Sequence, residues 1–186
     1  MVPLTSLVLP ILVSAVIVFV ASSIFHMVLP LHKNDIRKVP QEDAALEAFR
    51  KLALAPGDYG MPLPGSHAGM KDPAFIAKAE KGPLVFMTVA AGSKPNMLPY
   101  LMQWFLYSVV ISVFAGYIAV RALAPGVDYL QVFRFAGCTA FVGYAMGLPQ
   151  QSIWYRRQWG ATIRGMIDGL IYGLLTGGTF GWLWPR

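Results

Sequence analysis

Four long apolar runs organise the chain, and one charged stretch separates the first of them from the other three. The first, LTSLVLPILVSAVIVFVASSIFHMVLPL, covers 4–31 without a Lys or Arg. The second is MLPYLMQWFLYSVVISVFAGYIAV at 97–120, the third DYLQVFRFAGCTAFVGYAMGLP at 128–149, and the fourth ATIRGMIDGLIYGLLTGGTFGWLW at 161–184. A helix needs about 20 apolar residues to cross the hydrocarbon of a bilayer. The pattern therefore predicts an all-α membrane protein, a four-transmembrane-helix bundle. Helix 1 falls in 1–31, a partly helical cytoplasmic segment in 32–96, and a three-helix region in 97–186. RALAPG makes an antiparallel hairpin of the second and third runs, and QQSIWYRRQWG is a similarly short link to the fourth. The first run reads as a retained anchor. No positive residue precedes it, and apolar sequence continues past the small residues at 21–23. Pro30 helps to end it.

Between 32 and 94 the grammar changes. VPQEDAALEAFRKLALAPG puts Glu42 and Asp43 in a first turn, apolar residues at 45, 46, 49, 52 and 53, and Arg50 and Lys51 at the end. That is an amphipathic helix with charges matched to its dipole. KDPAFIAKAEKG repeats the design, with Asp72 as N-cap, Pro73 in the first turn and Gly82 as the stop. PGDYGMPLPGSHAG between them reads as turn-rich, to wrap a surface or stay mobile. LVFMTVAAG at 84–92 reads as a strand or as an interfacial lead into the second span.

Composition agrees with a bilayer: 13% of residues are charged and 56% hydrophobic, where soluble domains carry about 25% charge. The net charge of +6 reflects topology, because no basic patch interleaved with aromatics points to nucleic acid. Nine Lys and Arg lie in the charged segment, and Arg156 and Arg157 lie in the last link. The positive-inside bias places both on the cytoplasmic side and both termini in the periplasm. Tyr and Trp residues cluster at run ends, as interfacial belts do. The one cysteine, Cys138, excludes an intramolecular disulfide and a CxxC metal site, and reads as a small packing residue.

The fourth run carries glycine at 165, 169, 173, 177 and 181. Glycine costs about 1 kcal/mol against alanine in a helix interior in water. In lipid, small residues at a spacing of four allow close backbone contact between helices. Gly165, Gly169, Gly173, Gly177 and Gly181 thus predict a packing stripe, with the fourth helix as hub against the third and one other. Homo-oligomer contact is the other reading of the same stripe. Weaker matches are Ser108, Ser112 and Gly116 in the second run, and Thr139, Gly143 and Gly147 in the third.

Asp168 sits inside this stripe, and an ionisable residue in a span is by default a functional suspect. By depth, His26, Gln103, Arg164 and Asp168 converge in the cytoplasmic half as a candidate polar cluster. The plainer reading is a helical Arg164–Asp168 pair that fixes the depth of the helix. Arg134 enters from the opposite face and is expected to meet Tyr117 or Thr176. His26 and His32 stand six apart across Pro30, a poor metal spacing, so no metal ligand, catalytic residue or cofactor is expected. HExxH, P-loop, GxSxG and dinucleotide fingerprints are absent from the sequence.

WYRRQWGATIRGMIDGLIYGLLTGGTFGWLWPR resembles the C-terminal part of small bacterial inner-membrane proteins of no assigned activity. HMVLPLHKNDIRKVP and APGDYGMPLP are similar to them too. The resemblance implies a multi-pass, four-span protein of the bacterial inner membrane and carries over no catalytic residue. The leading expectation is a structural, assembly or accessory component acting through glycine-mediated packing, with the lipid bilayer, further copies of itself or other membrane-complex subunits as partners and no nucleic acid. A small oligomeric transporter or proton-linked carrier using Asp168 is the second expectation. A cytoplasmic-face membrane enzyme using His26 or the PGDYG loop is the third.

Overall fold

The computed structural model describes residues 3–185. The chain is mostly helical and divides into two compact units, one built from the chain up to Ile36 together with the chain from Asn96, the other from Arg37–Pro95.

The first unit holds α1 (Val8–Ser23), α4 (Leu98–Ala122), α5 (Tyr129–Ala145), α6 (Pro149–Tyr155) and α7 (Trp159–Trp182). Two stretches, Leu4–Val28 and Leu98–Ala122, are long and apolar enough to cross a membrane, with mean hydropathies of 2.7 and 1.8. α7 lies along α5 and against α1, while α4 closes the ring between α1 and α5. The third apolar run is divided: α5 ends at Ala145, and Pro149 opens the short α6. A proline suits the first turn of a helix, where its missing N–H costs nothing.

Small and polar residues share the interior with an apolar cluster that includes Leu7, Val18, Val132, Tyr172 and Phe180. Ser14, Ala15, Ser108, Ser112, Ala115, Ala136 and Ala140 are buried. Other large apolar side chains point outward: Leu12 and Val16 on α1, Leu106 and Phe114 on α4, Leu130 and Val142 on α5, Ile167 and Leu174 on α7. The Ser14 and Ser112 hydroxyls meet at 3.0 Å between α1 and α4. Trp104 donates its indole N–H to Ser22 at 2.7 Å, and Tyr107 its hydroxyl to the Gly143 carbonyl at 2.8 Å. Interhelical hydrogen bonds of this kind average about 0.6 kcal/mol in membrane bundles. Ser112→Ala is accordingly expected to lower unfolding stability in detergent by about that amount, with no further loss on adding Ser14→Ala.

The glycine stripe is consumed within the chain. A Cβ at Gly169 would meet Ala145 at 2.8 Å. One at Gly173 would meet the Gly137 carbonyl oxygen and Phe141 Cβ at 3.0 Å, and one at Gly177 the Phe133 carbonyl oxygen at 2.6 Å. At Gly181 the neighbour is the Tyr129 ring at 2.6 Å, and at Gly165 the Leu148 side chain at 3.2 Å. The small residues of α5 that answer the stripe are Gly137 and Ala145. Gly143 instead faces Ile111 of α4, and Gly147 faces open space.

The second unit holds α2 (Glu42–Leu52), β1 (Gly57–Met61), α3 (Pro73–Lys81) and β2 (Val85–Val89). Asp72 caps α3 by accepting from the Ala74 N–H at 2.9 Å, and Gly82 follows the helix at φ +62°. The expectation of an all-α chain with a turn-rich PGDYG loop is corrected here. β1 and β2 pair antiparallel from Gly57↔Val89 to Met61↔Val85, with the Thr88 hydroxyl donating to Asp58. Pairing between segments some 30 residues apart converts a turn-like sequence into a strand.

Candidate functional site

α1 does not run straight into the charged segment. Its last turn widens into a π-turn over Ile24–Val28, closed by the Leu29 N–H on the Ile24 carbonyl at 2.9 Å. Leu29 is extended, as the residue before a proline tends to be. A 3-10 turn over Pro30–His32 then folds the chain back. Six residues of sequence separation collapse, and the His26 and His32 rings stack at 4.3 Å with 4° between their planes. π-turns inside helices occur frequently at functional sites.

Both imidazoles face Asp168, in the third turn of α7 and about 14 Å along it from Trp159. The Asp168 side chain is only 8% exposed. His32 Nε2 lies 2.9 Å from its Oδ2, and His26 Nε2 lies 3.9 Å from the same oxygen. The other nitrogens are engaged. His32 Nδ1 is 2.8 Å from Asp35 Oδ2, and His26 Nδ1 is 3.1 Å from the Ser22 carbonyl oxygen. Arg164, one turn before Asp168, turns away from it and grips Asp35 Oδ1 through Nε at 2.9 Å and through Nη2. Burial raises the Asp35 carboxyl. Hydrogen bonds with His32 and Arg164 and the guanidinium charge outweigh that, holding it below the ordinary carboxylate range.

His26, His32, Asp35 and Asp168 line a pocket of about 350 Å³ with Arg157, Thr162 and Leu148 at its walls. Beyond Asp168 the interior is filled. Tyr172, one turn on, is buried against Phe25, Trp104 and Tyr144, with ring centroids at 6.2, 6.0 and 5.4 Å. This aromatic cluster walls the pocket off on the Tyr172 side.

No family model, curated protein or solved structure matches the chain. What the site can do rests on its own chemistry.

Of the expected polar cluster, His26 and Asp168 come together, while Arg164 joins them only through Asp35 and His32. Gln103 does not: it is exposed, because its neighbour Trp104 takes the inward face of α4, and successive helical residues point about 100° apart. The expected Arg164–Asp168 pair is replaced by Arg164–Asp35. His32 and Asp35 were absent from the expected cluster. Their sequence signal is the HKND motif, a His and an Asp three apart just after the proline. Arg134 and Cys138 are exposed on α5; among the described residues Arg134 makes no hydrogen bond with Tyr117 or Thr176, the expected partners, and Cys138 lies outside the packed interior it was expected to fill.

Proposed function

We propose that the chain is a four-span membrane protein of the bacterial inner membrane and acts there as an accessory subunit. It holds a polar pocket at the cytoplasmic face. The observation that supports the four spans is the apolar outer surface of the bundle. α5 and α7 turn Leu130, Val142, Ile167 and Leu174 outward just as α1 and α4 turn out Leu12, Val16, Leu106 and Phe114. A bundle built for water would cover that outer face with polar side chains, since extended apolar patches on soluble proteins are rare. α5, at 17 residues, is at the short end of the spanning range. Tyr100, Trp154, Tyr155, Trp159 and Trp182 are exposed at helix ends, where an interfacial belt belongs. The bias of Lys and Arg sets the orientation, with both termini periplasmic.

The accessory role is supported by the outward face of α5. Gln131, Arg134 and Cys138 are exposed at spacings of three and four, which puts them on one helical stripe. Charges within spans almost always face protein or water, so an outward arginine fits a neighbouring subunit better than lipid. The filled interior beyond Asp168 argues against a carrier within one chain, and the glycine stripe is spent on α5 rather than on a second copy. Native mass spectrometry of the gently extracted protein is expected to find a different membrane subunit in fixed ratio, lost on Arg134→Leu. A lone chain, or multiples of it alone, would overturn the accessory role.

A further inference from the structure

We propose that His26, His32 and Asp168 form a binding site for one divalent first-row transition metal ion, of the zinc or ferrous class. Asp35 and Arg164 act as its positioning residues. The proposal goes beyond the accessory role and does not depend on it. One ligand-type atom from each of the three residues lies within 4.8 Å of the others. Nitrogens and a carboxylate oxygen at about 2.0–2.2 Å from a tetrahedral ion would stand about 3.4 Å from one another. The 2.9 and 3.9 Å distances to Asp168 bracket that spacing, and a small tilt of the stacked His26 and His32 rings toward each other would aim both Nε2 lone pairs at one ion.

The tautomers decide what faces Asp168. The Ser22 carbonyl can only accept a hydrogen bond, so His26 Nδ1 must carry the proton in that contact. The Asp35 carboxylate, held as an acceptor by Arg164, makes the same demand of His32 Nδ1. Neutral rings so held present an unprotonated Nε2 lone pair toward a buried carboxylate oxygen. Two lone pairs at 2.9 Å repel unless a proton or a metal ion lies between them. His32 Nε2 is fully buried and has no aligned hydrogen-bond partner among the described residues, although it is close to Asp168. An Nδ1–H held by a carboxylate or a carbonyl, with Nε2 left for the ion, is how proteins orient histidine ligands for metals.

The donor set narrows the ion. Two imidazoles and one carboxylate suit zinc or non-haem iron, while calcium and magnesium prefer all-oxygen sites. Three protein ligands beside a pocket of about 350 Å³ leave positions open to water or a small ligand. The bundle end supplies Arg157 at the wall, so an anionic group on the ion would be met by a guanidinium.

The test uses full-length protein made without a histidine tag, stripped with chelator in detergent and titrated with Co²⁺ and then Zn²⁺. One Co²⁺ per chain is expected, with the visible absorption of nitrogen- and oxygen-ligated cobalt, displaced by Zn²⁺. His26→Gln, at a side chain that is half exposed, should weaken binding at least 100-fold while thermal unfolding of the metal-free protein stays as in wild type. His32→Gln and Asp168→Asn should abolish the spectrum. Asp35→Asn should keep the one-to-one ratio and the spectrum but weaken affinity by about 10–100-fold, the usual effect of losing a ligand's supporting partner. His67→Gln, outside the pocket, should bind as wild type. A spectrum that survives both His26→Gln and Asp168→Asn, or no stoichiometric binding by wild type, would overturn the proposal.

Discussion

Gly177→Leu is expected to destabilise the bundle by about 3 kcal/mol, the upper part of the range for forcing side-chain volume into a packed interface. On a chain of this length that is a fall in melting temperature of about 10 °C. The cause is backbone, not side chain. The first added carbon alone would stand 2.6 Å from the Phe133 carbonyl oxygen and 3.0 Å from the Gly137 Cα, and neither can swing aside. α5 and α7 would have to separate along their whole contact. Gly165→Leu should cost much less, because the atom in its way is the end of the flexible Leu148 side chain at 3.2 Å. Gly178→Ala, off the stripe and in ordinary contact with Tyr129 at 3.5 Å, should be neutral or mildly stabilising. Thermal unfolding in detergent of these three variants checks the order. Equal losses at 165 and 177 would mean that the stripe is not the tight interface.

Arg164→Ala is expected to cost about 2 kcal/mol, in the range for hydrogen bonds to charged groups. It removes the guanidinium from Asp35, whose side chain is 12% exposed, and leaves that carboxylate near the one on Asp168. Arg164 is 36% exposed, so water recovers part of the loss and the figure stays below that of a fully buried pair. The double variant Asp35→Asn with Arg164→Gln should be more stable than Arg164→Ala alone, since no unpaired charge remains. A double-mutant cycle with urea unfolding in mild detergent should give a coupling of about 1–2 kcal/mol. Additive single effects would show that the pair is a surface contact with no part in holding the 29–36 turn.

The stripe could be read in the sequence because a spacing of four fixes a line on a helix whatever surrounds it. Its partner helix could be named for the same reason, but not the partner residue. Gly143 and Gly147 look as suitable as Gly137, and only the rotation of α5 about its axis decides among them. The same ignorance of rotation misplaced Gln103. Depth along a helix follows from counting, but azimuth depends on which neighbour, here Trp104, has already claimed the interior. His32 and Asp35 were missed for a different reason. A spacing of six carries no meaning across a π-turn and a proline, and the fold-back that stacks His32 on His26 is set by that broken backbone. β1 was missed because its partner β2 lies far along the chain, and GDYGM on its own carries turn residues.

The claim on which the rest stands is that α5 and α7, not only α1 and α4, lie in the bilayer. Cys138 is a built-in probe of it, as the single cysteine of the chain and exposed on α5. The measurement is labelling of sealed membranes with a water-soluble maleimide that does not enter lipid, with Lys33→Cys in the first loop as the reactive control. Cys138 should stay unlabelled in opened and unopened membranes and label only after denaturing detergent, while the cysteine at 33 labels in opened membranes without detergent. Labelling of Cys138 in membranes never exposed to detergent would put α5 in water and contradict the four-span bundle.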